Sequence, residues 1–128
     1  MPRRLFRDTF KFPALKVSLG YAVKGIAYLF IFHRNMRIAF LMGIAACLLG
    51  IYLKLKGVEL MILCLTITLV FMAEIFNTAI ELMIDMMTER YHPVIKIAKD
   101  ISAAVVLIAC LNAFAIGYIL FFRRIFHF

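Results

Sequence analysis

VELMILCLTITLVFMAEIFNTAIELMIDMM, residues 58–87, is a nearly unbroken apolar stretch until Glu74, after which Asn77, Thr78, Glu81 and Asp85 recur among apolar neighbours. The offsets from Glu74 are 0, +3, +4, +7 and +11, which on an α-helix fall within an arc of roughly 100°. About thirty residues at about 1.5 Å each give a helix of about 45 Å, longer than the roughly 30 Å hydrocarbon core of a bilayer. The polar stripe therefore occupies one end of a membrane-grade helix, at the interface and beyond. Ionisable groups on such a helix are expensive and face a bundle interior or a polar cavity, so three carboxylates on one face point to a site.

The rest of the chain fits that solvent. Of 128 residues, 66% are hydrophobic, and the mean hydropathy is +1.00, far above a soluble domain's roughly 45–50% apolar share. So small a soluble protein could not bury this much apolar surface. The formal charge is +8, and Arg3, Arg4, Arg7, Lys11, Lys16, Lys24, Arg34 and Arg37 all lie near the N-terminus. Because these cations alternate with Phe, Leu, Tyr and Ile ahead of apolar spans, an anionic membrane surface is the expected partner, and nucleic acid is not. Cys47, Cys64 and Cys110 sit singly in apolar runs and predict buried thiols, with neither a metal cluster nor a disulfide framework.

The expected fold is an all-α integral membrane protein forming a single membrane domain over 1–128. Residues 1–11 read as a basic arm or the start of a surface helix. An N-terminal amphipathic surface helix is expected at about 13–33, with Pro13 in its first turn. Spans are expected at about 36–53, 58–87 and 94–122, separated by a tight turn at Lys54-Leu55-Lys56-Gly57 and a polar loop from Thr88 to His92. Asn112 is expected to hydrogen-bond between helices. Three spans put the N-terminus and the 88–92 loop on one side. That side carries the eight cations named above with Arg90, Lys96 and Lys99; the other carries Lys54, Lys56, Arg123 and Arg124. The excess of Lys and Arg makes the first side cytoplasmic, and the acidic stripe faces it.

Three uses of the stripe stay open at this point. A carboxylate at a dry interface has a raised proton affinity and suits a general base on a lipid alcohol. A second one nearer water could hold Mg²⁺ arriving with a nucleotide, with Lys99 beside the phosphates. The same groups could instead pair with Lys96, Lys99 or Arg37 between helices, or form a proton or cation path. No phosphate-binding Gly-Lys-Ser/Thr loop and no protein-kinase signature occurs.

The blocks Ala73-Glu74-Ile75-Phe76-Asn77-Thr78-Ala79-Ile80-Glu81, Asp85, Tyr91-His92-Pro93 and Lys96-Ile97-Ala98-Lys99-Asp100, with Ser102-Ala103-Ala104-Val105, resemble the signature of the bacterial diacylglycerol kinase and undecaprenol kinase family. SLGYAVKG, Ser18 to Gly25, resembles the family's surface-helix segment. That segment and the proline after His92 lean toward the undecaprenol kinase branch. The resemblance covers about Ser18 to Phe122. It implies a homotrimeric multi-pass enzyme of the bacterial plasma membrane, with active sites shared between subunits, that phosphorylates a lipid alcohol with MgATP on the cytoplasmic face. By motif position Glu74 is the general base and Asn77 its companion. Glu81 is a metal ligand, Lys99 the phosphate-binding lysine and Asp100 its partner. Tyr21, His92 and Asp85 fall near the nucleotide, Tyr21 and His92 by motif and Asp85 as the end of the stripe.

One position departs from the pattern. The family has a metal-binding glutamate just before Arg-Asn-x-Arg-Ile; here it is His33, before Arg34-Asn35-Met36-Arg37-Ile38, and Ala39 stands where a histidine often follows. Mg²⁺ prefers oxygen, whereas imidazole suits transition metals. Three expectations follow: the chain works with one carboxylate fewer, prefers Mn²⁺, or serves as a kinase-like scaffold without turnover. A small ion or proton transporter is the remaining alternative.

Overall fold

The computed structural model describes residues 12–87, 90 and 92–126; the expectations for residues 1–11, Thr88, Glu89, Tyr91 and His127 lie outside them. The described chain is all α: α1 Phe12–Phe32, α2 Arg34–Tyr52, α3 Val58–Met87, α4 Pro93–Gly117, a π-helical turn Tyr118–Phe122 and the short α5 Arg123–Ile125. Four helices are long and apolar enough to cross a membrane, and α1 is one of them. Length and composition alone therefore do not set a surface helix apart from three spans.

Contacts divide the chain into two units, residues 1–34 and 35–128. In the first, α1 carries only Lys16 and Lys24 as charges, and Lys24 Nζ lies 5.9 Å from the centre of the Tyr21 ring. Near its end the Tyr28 ring meets those of Phe32 at 4.8 Å and His33 at 5.8 Å. The His33 N–H still donates to the Leu29 carbonyl, so the helical break falls at His33 itself.

In the second unit the α2–α3 connection is a helix C-terminal motif. Lys54 adopts φ 59°; the Leu55 N–H donates to the Gly50 carbonyl and the Lys54 N–H to the Ile51 carbonyl. This pair of bonds satisfies carbonyls that a helix end leaves without partners. The turn drives Leu55 inward to form a small core with Leu63 and Leu120. Gly50 lets this core close tightly: a Cβ at this position would stand 3.0 Å from Leu63 Cδ2 and 3.2 Å from Leu55 Cδ1, and the two leucines would have to give way. Arg124 completes this end, donating to the Leu53 carbonyl and, at 2.6 Å, to Glu59 Oε2 in the first turn of α3. The π turn before it adds one residue to a helical turn and swings Arg124 round by about 100° relative to an unbroken α-helix.

At the other end His92 caps α4, its Nδ1 accepting from the Val94 N–H at 3.2 Å, with Pro93 in the first turn where no N–H is needed. Outward faces are mostly apolar: Leu41, Leu65 and Ile108 are exposed, as lipid-facing side chains are. Cys47 and Cys64 share those outward faces and only Cys110 is partly covered, which corrects the expectation of three buried thiols. In lipid the outer face of a helix is as apolar as the inner one, so hydropathy does not report burial. Asn112 likewise points outward and makes no hydrogen bond among the described residues, while its neighbours Ala113 and Ile116 take the inward positions.

Candidate active site

Five side chains of α3 share one face that is buried at Glu74 and Thr78 and reaches water at Asp85. Glu74 is 9% exposed and Thr78 6%; Asn77 and Glu81 are half-buried and Asp85 is exposed. The sequence periodicity thus corresponds to a gradient from the bundle interior to water. It arises because α4 packs along α3 over this length and ends, with its cap at His92, just past the stripe.

Glu74 stands in the wall of a groove of about 310 Å³ between α2, α3 and α4. Asn35 and Thr66 are the other polar side chains on that wall; Ile38, Met42, Val70 and Phe114 are among the apolar ones. The Thr66 hydroxyl is satisfied by donating back to the Ile62 carbonyl at 2.7 Å. The groove therefore offers a long apolar contact with a carboxylate in it, a shape that fits an amphipathic molecule with one polar end.

Around Glu81 the contacts run between helices. Asn77 Nδ2 donates to Glu81 Oε1 at 3.4 Å. Ser102 Oγ on α4 lies 2.9 Å from Asn77 Oδ1 and 2.9 Å from the Lys99 carbonyl oxygen, and Ser102 is buried, 2% exposed. Ser102 belongs to a motif block legible in the sequence, but its role was not: the bond to Asn77 joins residues 25 apart on two helices. The spacing Lys99–Ser102 on one face of α4 was the available signal.

The basic residues follow one of the open expectations, a stripe residue pairing with Lys99, and depart from the other, Asp100 as the partner of Lys99. Lys99 Nζ pairs with Asp85 Oδ1 at 3.1 Å, and Asp100 pairs instead with Lys96 at 2.8 Å, one turn away. Adjacent residues on a helix point about 100° apart, so Lys99 and Asp100 face different ways. His92 is present at this end as the α4 cap. Tyr21 and His33 belong to the first unit. Among the described residues no three His, Cys, Asp or Glu side chains cluster; Glu81 is a single carboxylate, with Asn77 Nδ2 3.4 Å from its Oε1.

A family model described as prokaryotic diacylglycerol kinase matches residues 20–121. A diacylglycerol kinase of Synechocystis is 39% identical over 106 residues, 82% of this chain and 61% of that protein; the chain thus spans about three-fifths of that relative's length. The undecaprenol kinase of Bacillus subtilis is 32% identical over 84% of this chain and 88% of its own. The diacylglycerol kinase of Escherichia coli K12 is 29% identical over 83% and 87%.

Proposed function

Because the chain belongs to the prokaryotic diacylglycerol kinase family, we propose that it transfers the γ-phosphoryl group of ATP to the hydroxyl of a membrane lipid alcohol, diacylglycerol or undecaprenol. The observation that carries this reading is the placing of Glu74. It is buried, and it stands in an apolar groove that can hold the start of a lipid tail and leave the hydroxyl at the carboxylate. Farther along the same face Glu81 is half-buried and Asp85 exposed, as a nucleotide arriving from water requires.

In this reading Glu74 accepts the hydroxyl proton as the alcohol oxygen forms its bond to the γ-phosphorus. The bond from that phosphorus to the bridging oxygen breaks, ADP leaves with the electron pair, and Glu74 later returns the proton to water. Lys99 exchanges Asp85 for phosphate oxygens and offsets their charge. Glu81 fits Mg²⁺ as a half-buried oxygen donor and would hold it together with the nucleotide phosphates; the ion supplies charge neutralisation there. His33 offers nitrogen and does not suit Mg²⁺, so the reading uses one protein carboxylate fewer than the family pattern. Tyr21, His92 and Asp100 are carried as site residues by the resemblance. We place α1 along the cytoplasmic interface and the enzyme in the bacterial plasma membrane as a homotrimer with shared sites.

The test is lipid-dependent ADP release from protein in detergent or liposomes, with each lipid alcohol in turn. Glu74→Gln is expected to lower kcat by at least about 100-fold, the usual contribution of a general base. Full activity in Glu74→Gln would remove the assignment. His33 motivates a second reading, a scaffold without turnover. Inactive wild-type protein that gains lipid-dependent turnover on His33→Glu would establish it.

A further inference from the structure

The Ser102 hydroxyl has one proton and two acceptors at equal distance, Asn77 Oδ1 and the Lys99 carbonyl oxygen, each 2.9 Å away. A hydroxyl can donate to one of them fully at a time. We propose that Ser102 is a positioning residue that sets which end of the Asn77 amide meets Glu81.

Two arrangements keep both the Ser102 proton and the Asn77 amide nitrogen hydrogen-bonded. In the first, Ser102 donates to Asn77 Oδ1, and Asn77 Nδ2 donates to Glu81 Oε1, 3.4 Å away. In the second, Ser102 donates to the Lys99 carbonyl, as a helical serine readily does to the preceding turn. Its oxygen then accepts from Asn77 Nδ2, and the amide turns over so that Oδ1 faces Glu81. Oxygen and nitrogen of an amide are nearly equal in shape, so the exchange needs no repacking around a fully buried Ser102.

The two arrangements differ in what they offer a cation. In the first a donor occupies Glu81 and repels a metal. In the second two oxygens face each other, an acceptor pair that is unfavourable unless a hard cation lies between them. Asn77 and Glu81 stand 3.4 Å apart, and in this arrangement both would present oxygen to a Mg²⁺ ion, which would offset their mutual repulsion. The second arrangement therefore supplies a further oxygen in a chain whose family-pattern glutamate is His33. Ser102 serves it by giving the turned Nδ2 a partner 2.9 Å away.

This rests on the lipid kinase reading for Glu81 as a ligand, and its test does not use turnover. Mn²⁺ binding is measured by the loss of the free-ion paramagnetic signal, in the presence of a non-hydrolysable ATP analogue and without lipid. Ser102→Ala is expected to weaken Mn²⁺ binding three- to tenfold with the melting temperature held, and Ser102→Cys to weaken it in the same direction. Asn77→Asp presents oxygen in either orientation, so adding Ser102→Ala to Asn77→Asp is expected to change nothing further. Unchanged Mn²⁺ affinity in Ser102→Ala overturns the proposal, as does an equal loss with and without Asn77→Asp, or absence of Mn²⁺–nucleotide binding by the wild type. Wild-type binding without lipid-dependent ADP release would instead overturn the kinase reading and leave this one standing.

Discussion

Lys99 and Asp85 hold each other across α3 and α4 at 3.1 Å, with 44% and 64% of their side chains exposed. Such a pair contributes about 0–1 kcal/mol and is weakened by salt, so it is easily exchanged. A lysine that must meet phosphate gains from a partner it can leave. Asp85→Asn removes both the competitor and a negative charge near the incoming nucleotide. The expected result is nucleotide binding about two- to fivefold tighter, with unfolding shifted by less than about 1 kcal/mol. Nucleotide titration of the variant in detergent checks this; weaker binding would make Asp85 a direct contact. At this scale the sequence was most legible where one helix explains everything. Glu74, Asn77, Glu81 and Asp85 declare themselves by spacing alone. Ser102, and the division of Asp85 and Asp100 between Lys99 and Lys96, depend on which faces of α3 and α4 meet, and no local pattern carries that.

Among the elements, the end of the bundle away from the stripe is joined by one side chain. Arg124 satisfies the Leu53 carbonyl at the end of α2 and pairs with Glu59, which favours the positive N-terminus of α3. The pair is only partly exposed, 37% and 43%, and both bonds are charge-assisted, so each is worth on the order of 1–2 kcal/mol after allowance for solvent. Arg124→Gln breaks both and Glu59→Gln one. Thermal unfolding in detergent is therefore expected to fall more for Arg124→Gln than for Glu59→Gln, with lipid-dependent activity below the unfolding temperature little changed in either. Equal shifts would show that the Leu53 contact contributes nothing. Glycine and lysine at 54–57 mark a turn in the sequence. The φ of Lys54 and the π turn ahead of Arg124 do not, because each is set by the packing of Leu55 and Leu120 into one core.

For the whole molecule, the number of crossings decides where the ends lie. The all-α character and the membrane solvent are plain from composition, yet α1 is as able to span by length and apolarity as the others. Its charges argue for the interface. Lys24 lies midway along α1, and a lysine at the centre of a spanning helix costs about 2.5–3.5 kcal/mol on the insertion scale. In the interface the same side chain reaches the anionic headgroups, worth about 1 kcal/mol for each cation close to them. The Lys and Arg count adds to this. With α1 in the interface, Arg3, Arg4, Arg7 and Lys11 join Arg34, Arg37, Arg90, Lys96 and Lys99 on one side; with α1 crossing they move to the opposite side. An interfacial α1 leaves three crossings, so the two termini of the chain are expected on opposite faces. Epitope tags placed at each end, read by protease access in right-side-out and inverted vesicles, decide it: the N-terminal tag should be cleaved only in inverted vesicles and the C-terminal tag only in right-side-out ones. Both tags on one face would put α1 across the membrane. A second substitution sharpens the test: Lys24→Leu removes the largest barrier to insertion, and if that barrier holds α1 in the interface, a fraction of this variant should carry its N-terminal tag to the outer face.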